Sequence, residues 1–285
     1  MEFLNIINAI ILGIIEGITE WLPISSTGHL ILAEEFFALR GLSPEFTEMF
    51  NVVIQLGAIL AVVVMFWKKL WPIGIRERKV TLKKDTMSLW GKVILACLPA
   101  AVIGLPLDDW MDEHLHNSTV VSIALIAYGI AFIVMETVFK NRKPKISTLN
   151  DLDWKTAVFI GCFQVLSLIP GTSRSGSTIL GALLLGTSRV VAAEFSFYLA
   201  IPVMFGASAL KALKYVSFVQ ESGMGFSGYR LVILLSGMLI AFIVSVLAIK
   251  FLLAYIKKKN FKAFGWYRIA LGIVVLLYFG LFAGR

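Results

Sequence analysis

The sequence predicts an all-α polytopic membrane protein arranged as an inverted repeat, each half a re-entrant helix hairpin followed by three transmembrane helices. Three observations carry this. Of 285 residues 58% are hydrophobic and 15% charged, with a mean hydropathy of +0.85, against roughly 25% charged in a soluble domain. Six apolar segments approach the roughly 20 residues that cross a bilayer core. Two further apolar regions are each broken midway by Pro or Gly with a short polar stretch at the break.

Along the chain, region 3–39 comes first, carrying Glu16, Glu20 and the run Ser25-Ser26-Thr27-Gly28-His29. Spans follow at about 50–67, 93–107 and 118–139. Region 156–187, broken at Pro170-Gly171-Thr172-Ser173-Arg174-Ser175-Gly176-Ser177-Thr178, opens the second half, and spans at 190–210, 231–256 and 263–283 complete it. The two broken regions read as hairpins because non-helical backbone at membrane depth is tolerated only where protein or a water-filled cavity surrounds it. Read as one ordinary span, 3–22 would leave Glu16 and Glu20 facing lipid or needing partners from elsewhere. The chain is thus one membrane domain, 1–285, divided into repeats 1–145 and 146–285. With Glu2 the only early charge, the N-terminus has no basic n-region, so the first helix is expected to stay in the mature protein. Cys97 and Cys162 lie in apolar segments and support neither a disulfide framework nor a zinc site.

Basic residues in short loops mark the cytoplasmic side. Lys68 to Lys84, Lys140 to Lys145 and Lys257 to Lys262 fill the loops after the first, third and fifth spans, whereas Asp108, Asp109, Asp112 and Glu113, and Glu221, fall in the loops between. Counting spans from these loops puts the first hairpin outside and the second inside. Three spans per half is odd, so the halves are inverted, an architecture that holds its site at the midplane. At an offset of 148, Gly13 matches Gly161, Ser25 matches Ser173 and Gly28 matches Gly176.

Glu16 and Glu20 are four apart and share a helix face. Two carboxylates so close in low dielectric need compensation, which leaves a shared divalent metal, a shared proton, or pairing with Arg174. Pro23 ends one half-helix and Ser25-Ser26-Thr27-Gly28 opens the next as an N-cap. His29, one turn in, is expected to reach the Ser25 or Ser26 hydroxyl and exchange a proton with it. In the second break, backbone N–H groups again point to the membrane centre, where helix N-termini bind anions. Arg174 adds a planar fork of donors suited to phosphate oxygens. Ser25, Thr27, Ser173, Ser175, Ser177 and Thr178 are the candidate phosphate-binding hydroxyls. Gln55 and Gln164 are further cavity candidates, and Glu194 is expected to pair with Lys250 or a loop cation.

The stretches Glu16 to His29 and Pro170 to Thr178 closely resemble the two signature regions of the undecaprenyl-diphosphate phosphatase family, integral-membrane enzymes linked to bacitracin resistance. The likeness continues through Val53 to Gly57, Ile160 to Gln164 and Glu194 to Phe197. The resemblance implies hydrolysis of a C55 isoprenoid diphosphate to the monophosphate, recycling the carrier for cell-wall synthesis. Glu16, Glu20, His29 and Arg174 match the family's essential polar set, Ser26 its proposed nucleophile, and Ser173, Ser175 and Thr178 its phosphate pocket. It further implies a divalent cation, Mg or Ca, at Glu16 and Glu20, a bacterial inner-membrane location and a site open to the outer face. Expected partners are the polyprenyl diphosphate and membrane lipids, with no nucleic acid; oligomeric state is open, a homodimer included. The rival from another class is a carrier for phosphate or polyprenyl phosphate, since inverted repeats with broken helices also build transporters. The other large lipid-phosphate phosphatase family is disfavoured because no histidine follows His116.

Overall fold

The computed structural model describes residues 2–76, 79–223 and 227–281. The first half runs α1 (Glu2–Thr19), α2 (Ser26–Phe37), α3 (Pro44–Met65), α4 (Trp67–Leu70), a ribbon of β1 (Ile73–Arg76) and β2 (Lys79–Leu82), α5 (Lys84–Leu115) and α6 (Ser118–Val138). The second runs α7 (Trp154–Val165) with a 3-10 turn at Leu166–Leu168, α8 (Arg174–Leu184), α9 (Arg189–Glu221), α10 (Gly228–Ile256) and α11 (Lys262–Leu281). Side chains ahead of the helices cap them: Ser43, Asn117, Asp153 and Ser188 accept from the N–H three residues on, at 3.3, 2.9, 2.6 and 3.3 Å, satisfying donors that a helix start leaves open.

Among the described residues seven helices are long and apolar enough to cross a membrane, and the chain is a multi-pass membrane protein. Six correspond to the expected spans. The seventh is α1, the first arm of the hairpin expected over 3–39: the break falls at Pro23 as expected, but the arm before it has 18 residues and is long enough to cross by itself. By contrast α7 has 12 residues, ~18 Å at helical rise, well short of a ~30 Å hydrocarbon core. The other departure from an all-α chain is the antiparallel ribbon, with Ile73 opposite Leu82, in the basic loop after α3.

Helix α1 packs on α10 and α7 on α5, while α3 packs on α9 and α6 on α11. Three of these contacts are so close that only glycine fits. A Cβ at Gly13 would lie 2.5 Å from the Gly237 carbonyl oxygen of α10, and one at Gly161 would lie 2.1 Å from that of Ala96 in α5. The α6–α11 pair is reciprocal, each of Gly129 and Gly265 meeting the other's carbonyl oxygen. Ion pairs close both ends of the α3–α9 packing: Lys211 of α9 with Glu48 of α3 at one, and Lys69 of α4, which follows α3, with Glu194 of α9 at 2.8 Å at the other. Glu194 therefore takes a loop cation, not Lys250. These close packings bring the α1–α2 and α7–α8 breaks together beside α9 and α11.

Candidate active site

Each break is a chain reversal held by a strained serine. Ser25 (φ 75) and Ser173 (φ 72) are the non-glycine residues with positive φ among the described residues, a conformation that costs about 1–3 kcal/mol and gathers at functional sites. Both serines are repaid locally: the Ser25 hydroxyl accepts from Gly28 N at 3.3 Å, opening α2, and that of Ser173 from Gly176 N at 3.1 Å, opening α8. The carbonyls stranded by the two breaks are gathered by one side chain. Arg268 of α11, fully buried, donates to Pro23 O at 3.2 Å, Gly171 O at 2.9 Å and Thr172 O at 3.0 Å. Pro23 and Gly171 stand two residues before the two strained serines, so Arg268 ties both turns to one point.

Glu20 is the hub between the breaks. Its Oε1 accepts from Arg174 Nη2 at 2.9 Å and its Oε2 from the Ser26 hydroxyl at 2.9 Å. Its carbonyl accepts from the Ser175 hydroxyl at 3.1 Å. Arg174 Nη1 donates to Ser196 O of α9 at 2.7 Å, and its guanidinium lies 5.9 Å from the centroid of the Trp21 ring. That leaves Arg174 Nε buried without an acceptor, as the Trp21 indole N–H and the Thr172 hydroxyl are. Glu16, fully buried, lies beside Glu20, and neither of its oxygens receives a hydrogen bond from any group outside that pair among the described residues. A buried polar cluster left this incompletely paired costs stability; its open donors suit an anion and its open carboxylate a cation.

His29 is fixed at both nitrogens. Nδ1 lies 2.7 Å from Ser25 O, and since a carbonyl only accepts, Nδ1 carries the proton. In the neutral ring Nε2 then accepts from the Tyr267 hydroxyl at 2.7 Å, and the two rings stack at 5.5 Å. The expected contact of His29 with a serine hydroxyl is thus corrected: its partner in the turn is the Ser25 carbonyl, and the Ser26 hydroxyl is bonded to Glu20.

The family model described as "Bacitracin resistance protein BacA" matches residues 9–274, nearly the whole chain and both breaks. The chain belongs to the BacA family. Undecaprenyl-diphosphatase of Acetivibrio thermocellus is 60% identical over 276 residues, covering 97% of this chain and 98% of the relative. Proteins of the same name from Enterococcus faecalis and Lactiplantibacillus plantarum are 58% and 57% identical over 278 residues each, covering 97% and 98% of this chain and 98% and 99% of the relatives.

In this BacA-family chain, Glu16, Glu20, Ser26, His29 and Arg174 converge on the junction of the breaks. The candidate hydroxyls divide. Ser25 and Ser173 cap helices, and Ser175 ties α8 to the end of α1. Ser177 and Thr178 donate to Arg174 O at 3.1 and 2.8 Å, and Thr178 also bonds Ser196. Thr27 is half-buried, with no hydrogen bond from its hydroxyl among the described residues. Four contributors escape the sequence reading: Trp21, Ser196, Tyr267 and Arg268. Of these Arg268 had a signal, a lone ionisable group inside an apolar span.

A divalent cation fits the donor set in one respect. Among the described residues no group of three or more His, Cys, Asp and Glu could hold a metal. Magnesium, however, is commonly held by one or two carboxylates together with substrate phosphates, and the open carboxylate of Glu16 beside Glu20 meets that need.

Proposed function

We propose that this chain hydrolyses undecaprenyl diphosphate to undecaprenyl phosphate and inorganic phosphate, the activity its relatives' name describes. The observation that carries this reading is the Ser26 hydroxyl 2.9 Å from Glu20 Oε2, with Arg174 on the other oxygen of the same carboxylate. A hydroxyl on a carboxylate base, facing a guanidinium, is an activated nucleophile with an anion clamp. Ser26 Oγ attacks the terminal phosphorus and passes its proton to Glu20. The bond to the bridging oxygen breaks, and undecaprenyl phosphate leaves. Arg174 Nε, the Thr172 hydroxyl and the Trp21 N–H take non-bridging oxygens as charge moves onto them, aided by the N-termini of α2 and α8. Water, deprotonated by His29, then attacks the phosphorus of the phosphoserine; the bond to Ser26 Oγ breaks, Glu20 returns its proton to that oxygen, and phosphate leaves. Ser25, Ser173, Ser175, Ser177 and Thr178 act by holding the walls of this pocket.

Glu16 and Glu20 would hold a magnesium or calcium ion, which when bound neutralises diphosphate oxygens. Full-length protein in detergent, where transport has no meaning, is expected to release phosphate from the C55 diphosphate. Chelation should lower the rate at least about tenfold, within the several kcal/mol that metal charge stabilisation supplies, and added magnesium or calcium should restore it. No release from pure protein overturns the hydrolase reading; release indifferent to chelator removes only the metal.

Tyr267 is expected to be a positioning residue for His29. Tyr267→Phe keeps the stacked ring but removes the donor to Nε2, so kcat should fall about tenfold, part of the 10²–10⁴ that acid–base catalysis supplies, with an altered pH–rate profile and unchanged thermal stability. An unchanged kcat and pH profile would remove Tyr267 from the mechanism.

The two halves are read as an inverted repeat. Support comes from the strained serines 148 residues apart, the α1–α10 and α7–α5 packings that exchange under such an operation, the reciprocal Gly129–Gly265 contact, and the Lys–Glu bridges that tie α9 to α3 through Glu48 and to α4 through Lys69. On this reading both hairpins are re-entrant and the site sits near the midplane. The basic loops face the cytoplasm and the catalytic pocket opens outward.

A further inference from the structure

At the far end of α8 lies a polar cavity of about 350 Å³. Arg174 opens α8 and Leu184 closes it, so the cavity stands ~16 Å along the helix axis from the catalytic guanidinium. Lys140, Arg142, Arg189 and Lys257 line it, with Glu136 the acidic lining residue. Glu136 is spent: its oxygens receive Arg189 Nε at 2.8 Å, Arg189 Nη2, and the Phe261 N–H at 3.0 Å. Arg142 is fixed by a 3.0 Å bond to Leu184 O and by stacking 5.2 Å from the Phe139 ring. Lys140 and Lys257 form no ion pair among the described residues. Positive charge therefore exceeds negative around a preformed cavity of a size that binds small ligands.

Two further features select an anion with several acceptor oxygens. The 33-residue α9 begins here, its first turn presenting N–H groups at Arg189 and Val190 behind the Ser188 cap. Thr187, 5% exposed, lines the cavity, and its hydroxyl has no partner. A buried hydroxyl left unpaired costs about 1–3 kcal/mol, a cost that a phosphate oxygen in the cavity would relieve. Phe139, Leu183 and Ile256 add apolar wall beside the charges.

We propose that this cavity is a second phosphate-binding site, separate from the catalytic pocket and on the face of the basic loops, which takes the headgroup phosphate of an anionic phospholipid. Basic pockets between helices on the cytoplasmic side bind such headgroups, and inorganic phosphate offers the same oxygens without the chains.

Full-length protein in neutral detergent is titrated with phosphatidylglycerol, phosphatidylcholine and inorganic phosphate. Retained lipid is read by native mass spectrometry and phosphate by the shift in thermal stability. Wild type should retain phosphatidylglycerol at least fivefold over phosphatidylcholine. The double variant Lys140→Gln/Lys257→Gln, and separately Thr187→Val, should each cut that retention at least fivefold. Because the hydrolase reading also places phosphate at the catalytic residues, the phosphate readout is the difference between wild type and variants. If phosphate stabilises wild type more than both variants and the lipids do not differ, the occupant is free phosphate. If no probe separates wild type from the variants, the site is overturned. A response confined to the lysine variant reduces the effect to surface charge and overturns it equally. None of these readouts uses turnover, so they stand apart from the hydrolase reading.

Discussion

Replacing Ser26 by alanine is expected to lower phosphate release at least about 10³-fold, equivalent to about 4 kcal/mol of transition-state stabilisation. The expectation comes from geometry. Ser26 is the hydroxyl in the two breaks that donates to a side-chain carboxylate, at 2.9 Å to Glu20. The hydroxyls of Ser175, Ser177 and Thr178 donate to backbone carbonyls, so they are committed to the scaffold. Alanine keeps the first turn of α2 and leaves the Ser25 cap in place, so thermal stability should change little while turnover collapses. In wild type, radiolabelled terminal phosphate should be trapped on Ser26 by acid quenching; the variant should trap none. Near-normal turnover in Ser26→Ala would eliminate the phosphoserine route in favour of water attack on the diphosphate.

Much of this site could be read before any fold was known, because its ingredients are local in sequence. The Glu16–Glu20 spacing fixes a shared helix face, and Pro23 and Pro170-Gly171 mark the two breaks. Ser25 and Ser173, which match at the 148-residue offset, are the two non-glycine positive-φ positions among the described residues. What escaped was set by tertiary packing. Tyr267 and Arg268 lie more than 200 residues from Pro23 and His29, which they bind, and α11 brings them in only because it packs on α6. Counting hydroxyls could not separate caps from free donors: Ser25 and Ser26 are neighbours of one type, yet backbone direction turns one onto Gly28 and the other onto Glu20. The length of α1 also escaped: taken as one arm of a hairpin, it runs 18 residues to Thr19 and is long enough to cross by itself. The Glu pair also resolved unequally, Glu20 onto Arg174 and Glu16 onto no donor outside the pair among the described residues.

Arg174→Lys should reduce kcat at least about 100-fold, the scale reported for loss of one oxyanion donor, although the positive charge is kept. The guanidinium spends its three nitrogens in three directions: Nη2 on Glu20 at 2.9 Å, Nη1 on Ser196 O at 2.7 Å, and Nε left buried and open. Its planar fork makes those directions simultaneous. A lysine ammonium in the same space can neutralise Glu20, so the buried carboxylate is not stranded and the protein should still fold. It cannot also reach Ser196 and present a donor to the phosphate from one rigid plane, and it loses the flat face set against Trp21. The loss should fall on kcat more than on KM, because the missing bond matters most as charge develops on the transferring phosphoryl group. A wild-type kcat in Arg174→Lys would show that charge alone suffices and that the fork geometry is irrelevant. A rise confined to KM would move Arg174 from transition-state stabilisation to ground-state binding.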